Sequence, residues 1–223
     1  HSISRDDKIT VAIASHRGLR ILHQEPWECT ASFICSSFSN IPRIRQCIEK
    51  VAAAFGDSIE FDGFASYSFP QPQQIDNFSK LKKCGLGYRA KYLFETARIF
   101  AGSSDYSLQQ LQRLKYEAAK EKLLELSGVG SKVADCILLF SCGFYEAFPV
   151  DVWIYRAMLG SYGSEIRKFA AKNAKGKKIS EKVVAKFARA YFGKYAGYAQ
   201  QFLYHNARTK KTPAGMLISQ TEH

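Results

Sequence analysis

Two side chains in this sequence have types and settings suited to covalent chemistry. Lys132 lies in "LSGVGSKVADC" (Leu126–Cys136), behind two glycines and in the first turn of an apolar helix. A helix start usually favours acidic residues, because it carries partial positive charge. A nucleophilic lysine attacks as the free amine, and both a helix N-terminus and partial burial disfavour the added charge. The plainer reading is a lysine that meets a phosphate or faces solvent. Asp151 lies in "EAFPVDVWIYRAML", at the expected start of another helix, where aspartate is a favoured cap. An amine and a carboxylate together suit cleavage of an N-glycosidic bond. The carboxylate stabilises positive charge developing on the sugar and moves protons, while the amine attacks the anomeric carbon. The attached amine then forms a Schiff base, which permits elimination of the neighbouring phosphate.

The elements that must position Lys132 are legible around it. "YEAAKEKLLELSGVGSKVADCILLF" reads as helix, four-residue turn, helix, with Ala119, Leu123, Leu124 and Leu126 on one inner side. Val133, Ile137, Leu138 and Phe140 face inward from the second helix. Gly128 and Gly130 allow backbone angles and close approaches that side chains forbid. Exposed amides in such a turn, ending at a helix N-terminus, suit a phosphate oxygen. This is the pattern of a helix–hairpin–helix DNA-binding element; an ordinary helical hairpin is the alternative.

Helical periodicity dominates the rest and no persistent alternation appears, so an all-α fold is expected. The spacing predicts helices over about 5–15, 26–35, 41–55, 73–80, 89–101, 107–112, 115–126, 131–142, 151–160, 164–172, 180–191 and 197–209. Pro26 suits a first helical turn, Asn40 a cap and Gly56 a stop. "FDGFASYSFPQPQQI" reads as a loop leading into a short helix, "KNAKGKK" as a basic link, and "TKKTPAGMLISQTEH" as a loosely held tail.

With 223 residues, 46% hydrophobic and 13% aromatic, the chain has the composition of a folded protein of one or two domains. The net charge of +12, from 32 Lys plus Arg against 20 Asp plus Glu, favours a polyanionic partner, nucleic acid before an anionic membrane surface. No stretch approaches the roughly 20 apolar residues of a membrane span, and residues 1–8 have no signal-peptide character. A soluble, intracellular protein is expected. The six cysteines (Cys29, Cys35, Cys47, Cys84, Cys136, Cys142) sit in apolar segments without a C-x-x-C pair. They read as buried thiols and speak against an iron–sulfur cluster or zinc finger near the C-terminus.

"LSGVGSKVADCILLFSCGFYEAFPVDVWIYRAML" resembles the hairpin, lysine and aspartate signature of the helix–hairpin–helix DNA glycosylases. "KVADC" followed by "FPVDV" is similar to the 8-oxoguanine DNA glycosylase branch. The resemblance extends through "PWECTASFICSSFSNIPRI", "GLGYRAKYL" and "YAGYAQQFLYHNAR", from about residue 17 to 208. It implies an all-α fold of two helical lobes flanking a DNA-binding cleft, one lobe roughly 28–140 and the other 1–27 plus 141–223. It implies a glycosylase and abasic-site lyase acting on double-stranded DNA containing 8-oxoguanine, without a redox cofactor; a monomer is the default expectation. Position by position, Lys132 matches the Schiff-base nucleophile and Asp151 the catalytic carboxylate. Cys136 and Tyr204 match the two walls around a flipped base, and Gln200 a hydrogen-bonding group at its edge. On the DNA side the resemblance implies Phe38, Asn40, Arg43, Tyr88, Arg89 and Trp153, with the amides of Gly128, Gly130 and Val133 holding a phosphate. Tyr88 matches a ring wedged into the stack, and Arg43 and Arg89 match readers of the orphaned cytosine. A structural cation is implied at the main-chain carbonyls of Leu124, Leu126 and Val129.

The sequence departs from the family in three ways. Phe38, in "SSFSN", replaces an asparagine that fills the gap left by the flipped nucleotide; a phenyl ring fills space but forms no hydrogen bond with cytosine. Trp153 replaces a histidine two residues after Asp151. The N-terminal β-rich domain of larger members, source of a carbonyl that tells 8-oxoguanine from guanine, has no counterpart in this sequence. Two alternatives stand beside this reading: a glycosylase for another damaged base, and a non-catalytic module that binds damaged DNA. Lys132 with Asp151 weighs against the second.

Overall fold

Helix boundaries follow the capping residues. The structure, a computed structural model, describes residues 3–173 and 178–209. The centre of the basic link and the tail from 210 lie outside the described residues. In chain order the helices are α1 (Asp7–Ser15), α2 (Pro26–Ser36), α3 (Ile41–Phe55), α4 (Phe78–Lys82), α5 (Arg89–Gly102) and α6 (Leu108–Gln112). They continue with α7 (Tyr116–Leu124), α8 (Ser131–Phe140), α9 (Val152–Asn173), α10 (Glu181–Phe192) and α11 (Ala196–Thr209). Pro26 occupies the first turn of α2, the Asn40 side chain accepts from the Arg43 amide at 3.0 Å, and Gly56 ends α3.

Three expectations are corrected. The segment expected as a loop holds a two-stranded antiparallel hairpin, β1 (Ser58–Phe61) and β2 (Phe64–Tyr67), with Phe61 opposite Phe64. Asp62 and Gly63 form its turn, with φ of 50° and 78°; two successive positive φ values are what a type I′ turn needs. The helix expected over 73–80 is a single 3-10 turn at Pro72–Gln74 followed by α4. The two helices expected over 151–160 and 164–172 form one run, α9, broken by non-helical angles at Tyr162 (φ −125°, ψ 20°). Tyr162 is buried and its hydroxyl donates to Asp6 Oδ1 at 3.2 Å. Asp6 also caps α1 and accepts from Tyr191 at 2.8 Å, so the kink is tied to the start of that helix.

The chain forms two compact units, one from the residues up to Ile21 together with those from Phe144, the other Leu22–Gly143. In the second unit α2 packs on α3, α5 and α8, and α7 packs on α8. Ile34, Leu93, Leu123, Ile137 and Leu138 are wholly buried there, each such side chain stabilising the fold by about 1.5–3 kcal/mol. In the first unit α11 packs on α9 and α1, and α10 on α9, around Ile9, Phe148, Ile154, Met158 and Phe192. All six cysteines are buried thiols outside disulfide bonds. Burial pushes the Cys35 thiol up to about 12 and raises Cys29 and Cys142 as well. Among the described residues no helix is long and apolar enough to cross a membrane.

Candidate functional site

Lys132 is the second residue of α8. Gly130 caps that helix without a side-chain hydrogen bond, and its first turn contains no acidic residue. The leading amides of such a helix keep their donors and their partial positive charge available to an anion. Lys132 is half-buried, with Nζ 5.1 Å from the centre of the Phe33 ring, which in turn stacks on Phe140. Cys136, one turn further along α8, is 2% exposed. The hairpin helices are cross-linked behind this face. Asp135 accepts from Lys120 Nζ at 2.7 Å and from the Tyr116 hydroxyl at 2.5 Å.

The inner face of the hairpin follows the expected pattern except at Leu124, which is 37% exposed at the last turn of α7. The glycines differ as well. Gly128 has φ +80° and its missing side chain makes room for the Tyr92 ring. Gly130 has an extended backbone (φ −89°, ψ 177°) and open space where a Cβ would stand. Packing within the protein therefore demands a glycine at 128 but not at 130. The Leu126 carbonyl, one of the three oxygens expected around a cation, also accepts from the Val129 amide at 3.1 Å. A carbonyl oxygen has a second lone pair, so this set of hard donors still fits a hard cation. Among the described residues no group of three or more His, Cys, Asp or Glu could hold a metal ion.

Helix α5 carries the next residues of this face. Thr96 donates to the Ser127 carbonyl at 3.1 Å, which fixes α5 to the hairpin turn. Tyr92 packs on Gly128, and Tyr88, half exposed, meets Tyr92 edge-on at 5.8 Å. Sequence reading missed Tyr92 and Thr96; their helical spacing of four and eight from Tyr88 was the available signal. Arg89 is placed unlike an open reader of bases. It is 7% exposed, and Nε donates to the Ser37 carbonyl at 2.7 Å. Nη2 also donates to Ser37 and, at 3.1 Å, to the Phe38 carbonyl, while Nη1 reaches the Leu86 carbonyl at 3.3 Å. Phe38 has φ +49° and is 99% exposed. Arg43 is exposed and, with Asn40, Pro42, Gln46, Cys47 and Gly85, lines a shallow recess.

The other unit positions the carboxylate. Asp151 caps α9: its Oδ1 accepts from the Ile154 amide and its carbonyl from the Tyr155 amide, both at 2.8 Å. Gln200, 5% exposed on α11, donates to the Pro149 carbonyl at 3.1 Å and so ties down the segment leading to Asp151. Its Oε1 accepts from Gln201 at 2.5 Å, which leaves one amide hydrogen for a ligand. Tyr204 follows one turn later, half-buried, its hydroxyl accepting from Arg208 at 3.1 Å. Trp153 is 36% exposed in the first turn of α9.

Residues 31–186 match the family described as HhH-GPD superfamily base excision DNA repair protein. The chain belongs to this superfamily. It is 35% identical to a probable N-glycosylase/DNA lyase of Methanothermobacter thermautotrophicus, over 93% of this chain and 69% of that protein. It is 36% identical to the N-glycosylase/DNA lyase of Saccharomyces cerevisiae over 85% of this chain, but spans only 57% of the yeast protein's length. Its fold superposes with a TM-score of 0.82 on the Clostridium acetobutylicum 8-oxoguanine glycosylase/lyase solved with double-stranded DNA carrying cytosine opposite 8-oxoguanine. That pair is 35% identical, covering 94% of this chain and 68% of the other.

Proposed function

We propose that this protein excises 8-oxoguanine from double-stranded DNA and then cleaves the strand, with Lys132 as the nucleophile. The observation that carries the reading is Lys132 itself, the second residue of an apolar helix whose start lacks a side-chain cap. Superfamily membership and relatives named N-glycosylase/DNA lyase support the same chemistry. Lys132 Nζ attacks C1′ of the damaged nucleotide; the C1′–N9 bond breaks and its electron pair leaves with the base, which takes up a proton. The Asp151 side chain stabilises the positive charge that develops on the sugar as the bond lengthens. The sugar ring opens, the amine becomes an iminium, and loss of a proton from C2′ expels the 3′ phosphate.

Cys136 and Tyr204 offer the flat apolar walls that a flipped purine needs, and the remaining amide hydrogen of Gln200 a polar edge contact. The amides of Gly128, Gly130 and Val133 hold a backbone phosphate, and the carbonyls of Leu124, Leu126 and Val129 would hold a structural cation. Phe38, Asn40, Arg43, Tyr88 and Trp153 face the duplex. The protein acts as a monomer on genomic DNA inside the cell, and no step calls on a redox cofactor.

The test is Lys132→Gln. The variant loses strand cleavage while keeping its affinity for a duplex with 8-oxoguanine opposite cytosine. Strand cleavage retained by this variant would remove Lys132 from the mechanism.

A further inference from the structure

The Arg89 guanidinium is already committed. Its three nitrogens donate to the carbonyls of Ser37, Phe38 and Leu86, and only 7% of the residue is exposed. A side chain that recognises a base edge presents two parallel N–H groups outward. Here those groups point into the loop between α2 and α3. That loop holds a bulky residue in the left-handed region, where L side chains meet steric resistance, and leaves its ring almost completely in water. A fully solvated phenyl ring gains nothing from burial in the free protein. The arginine satisfies two adjacent carbonyls of the strained loop, and such conformations persist only where their surroundings over-determine them.

We propose that Arg89 is a positioning residue that holds the Ser37–Phe38 loop so that Phe38 stands out as a stacking wedge, and that the protein consequently accepts any base opposite the lesion. This rests on the reading of the protein as a DNA glycosylase. A ring stacks on any base face, since every base has one, so a wedge of this kind adds affinity without reading sequence. Arg43, exposed at the neighbouring recess, remains as a polar contact but cannot by itself present two arginine forks to cytosine.

The experiment measures affinity for duplexes carrying an uncleavable tetrahydrofuran abasic analogue opposite C, A, G or T. The native protein is expected to bind all four within about fivefold, because stacking is sequence-tolerant. Phe38→Ala should weaken all four alike, by about tenfold, the order expected for one lost base–aromatic stack. Arg89→Lys keeps the charge but loses the fork, so it should weaken all four as Phe38→Ala does. The double variant should then be no worse than either single one, since both act through one ring. Phe38→Asn, with a residue that tolerates left-handed angles, keeps the loop folded but lacks the ring, so it should weaken all four duplexes as Phe38→Ala does.

Native binding that favours cytosine by more than about tenfold, or Arg89→Lys weakening the cytosine duplex alone by about that factor, would assign Arg89 to base reading and overturn the proposal. Should Arg89→Lys unfold, the Phe38 variants and the native ratios still decide it. These ratios are read on an uncleavable analogue, so they hold whether or not Lys132 forms a Schiff base. Failure of the excision reading would appear in strand cleavage instead.

Discussion

The ring of Tyr92 fills the space that a side chain at position 128 would need. A β-carbon on Gly128 would stand 2.8 Å from Tyr92 Cβ and 2.9 Å from its Cγ, in a backbone with φ +80°. Helix α5 and the hairpin turn are thereby locked in register, and Thr96 adds its hydrogen bond to Ser127. The aromatic face that begins at Tyr88 and the amides that precede Lys132 are parts of one rigid surface.

Gly128→Ala should therefore be costly twice over. The strained φ alone costs about 1–3 kcal/mol, and displacing Tyr92 disturbs the surface offered to DNA. Thermal melting and duplex affinity should fall together. Gly130→Ala, with open space around its Cβ, should melt close to the native protein.

Asp151 caps α9, and substitution can separate that cap from the catalytic role proposed for its carboxylate. Asparagine caps a helix as well as aspartate, whereas alanine loses the bond to the Ile154 amide, at a cost of about 0.5–2 kcal/mol. Asp151→Ala should lose stability and excision together. Asp151→Asn should lose excision alone, because the charge that stabilises the sugar cation is gone. Denaturant midpoints alongside single-turnover excision rates check both.

The buried pair of Lys120 and Asp135, 2.7 Å apart, joins α7 to α8 just behind Lys132. Removing either charge leaves the opposite one buried without its counter-ion, and Lys120→Met or Asp135→Asn should each cost about 3–5 kcal/mol. The double variant Lys120→Met with Asp135→Leu should recover much of that loss. Urea unfolding of the three variants tests the coupling.

The thiols of Cys29, Cys35 and Cys142 are raised by burial, Cys35 to about 12. Only the thiolate reacts, and an ordinary cysteine ionises near about 8.5. Above that pH an ordinary thiol gains reactivity, whereas Cys29 and Cys35 stay protonated. Labelling of the folded protein should show no inflection at Cys29 and Cys35 between about pH 7 and 10, when followed by mass spectrometry of the modified peptides.

The parts of the fold that follow local chemistry were legible in the sequence: Pro26, Asn40, Gly56 and Asp151 all stand where their types predict. The hairpin at Ser58–Tyr67 was missed although Asp62–Gly63 is a strong turn signal. Its eight strand residues are all exposed, so no burial alternation marks the strands. Tyr162 kinks α9 through a bond to Asp6, more than a hundred residues away, which no local pattern could reveal. The charge of Arg89 was plain, but its partners come from a loop 51 and 52 residues earlier. Those partners are what the proposed supporting role of Arg89 rests on.

Borohydride trapping tests the central claim most directly. A duplex with one 8-oxoguanine opposite cytosine should give a covalent adduct that an undamaged duplex does not, and Lys132→Gln should give none. An adduct on a preformed abasic duplex alone would keep the lysine chemistry and exclude 8-oxoguanine as the substrate. No adduct on either duplex, or one that survives Lys132→Gln, would contradict the account.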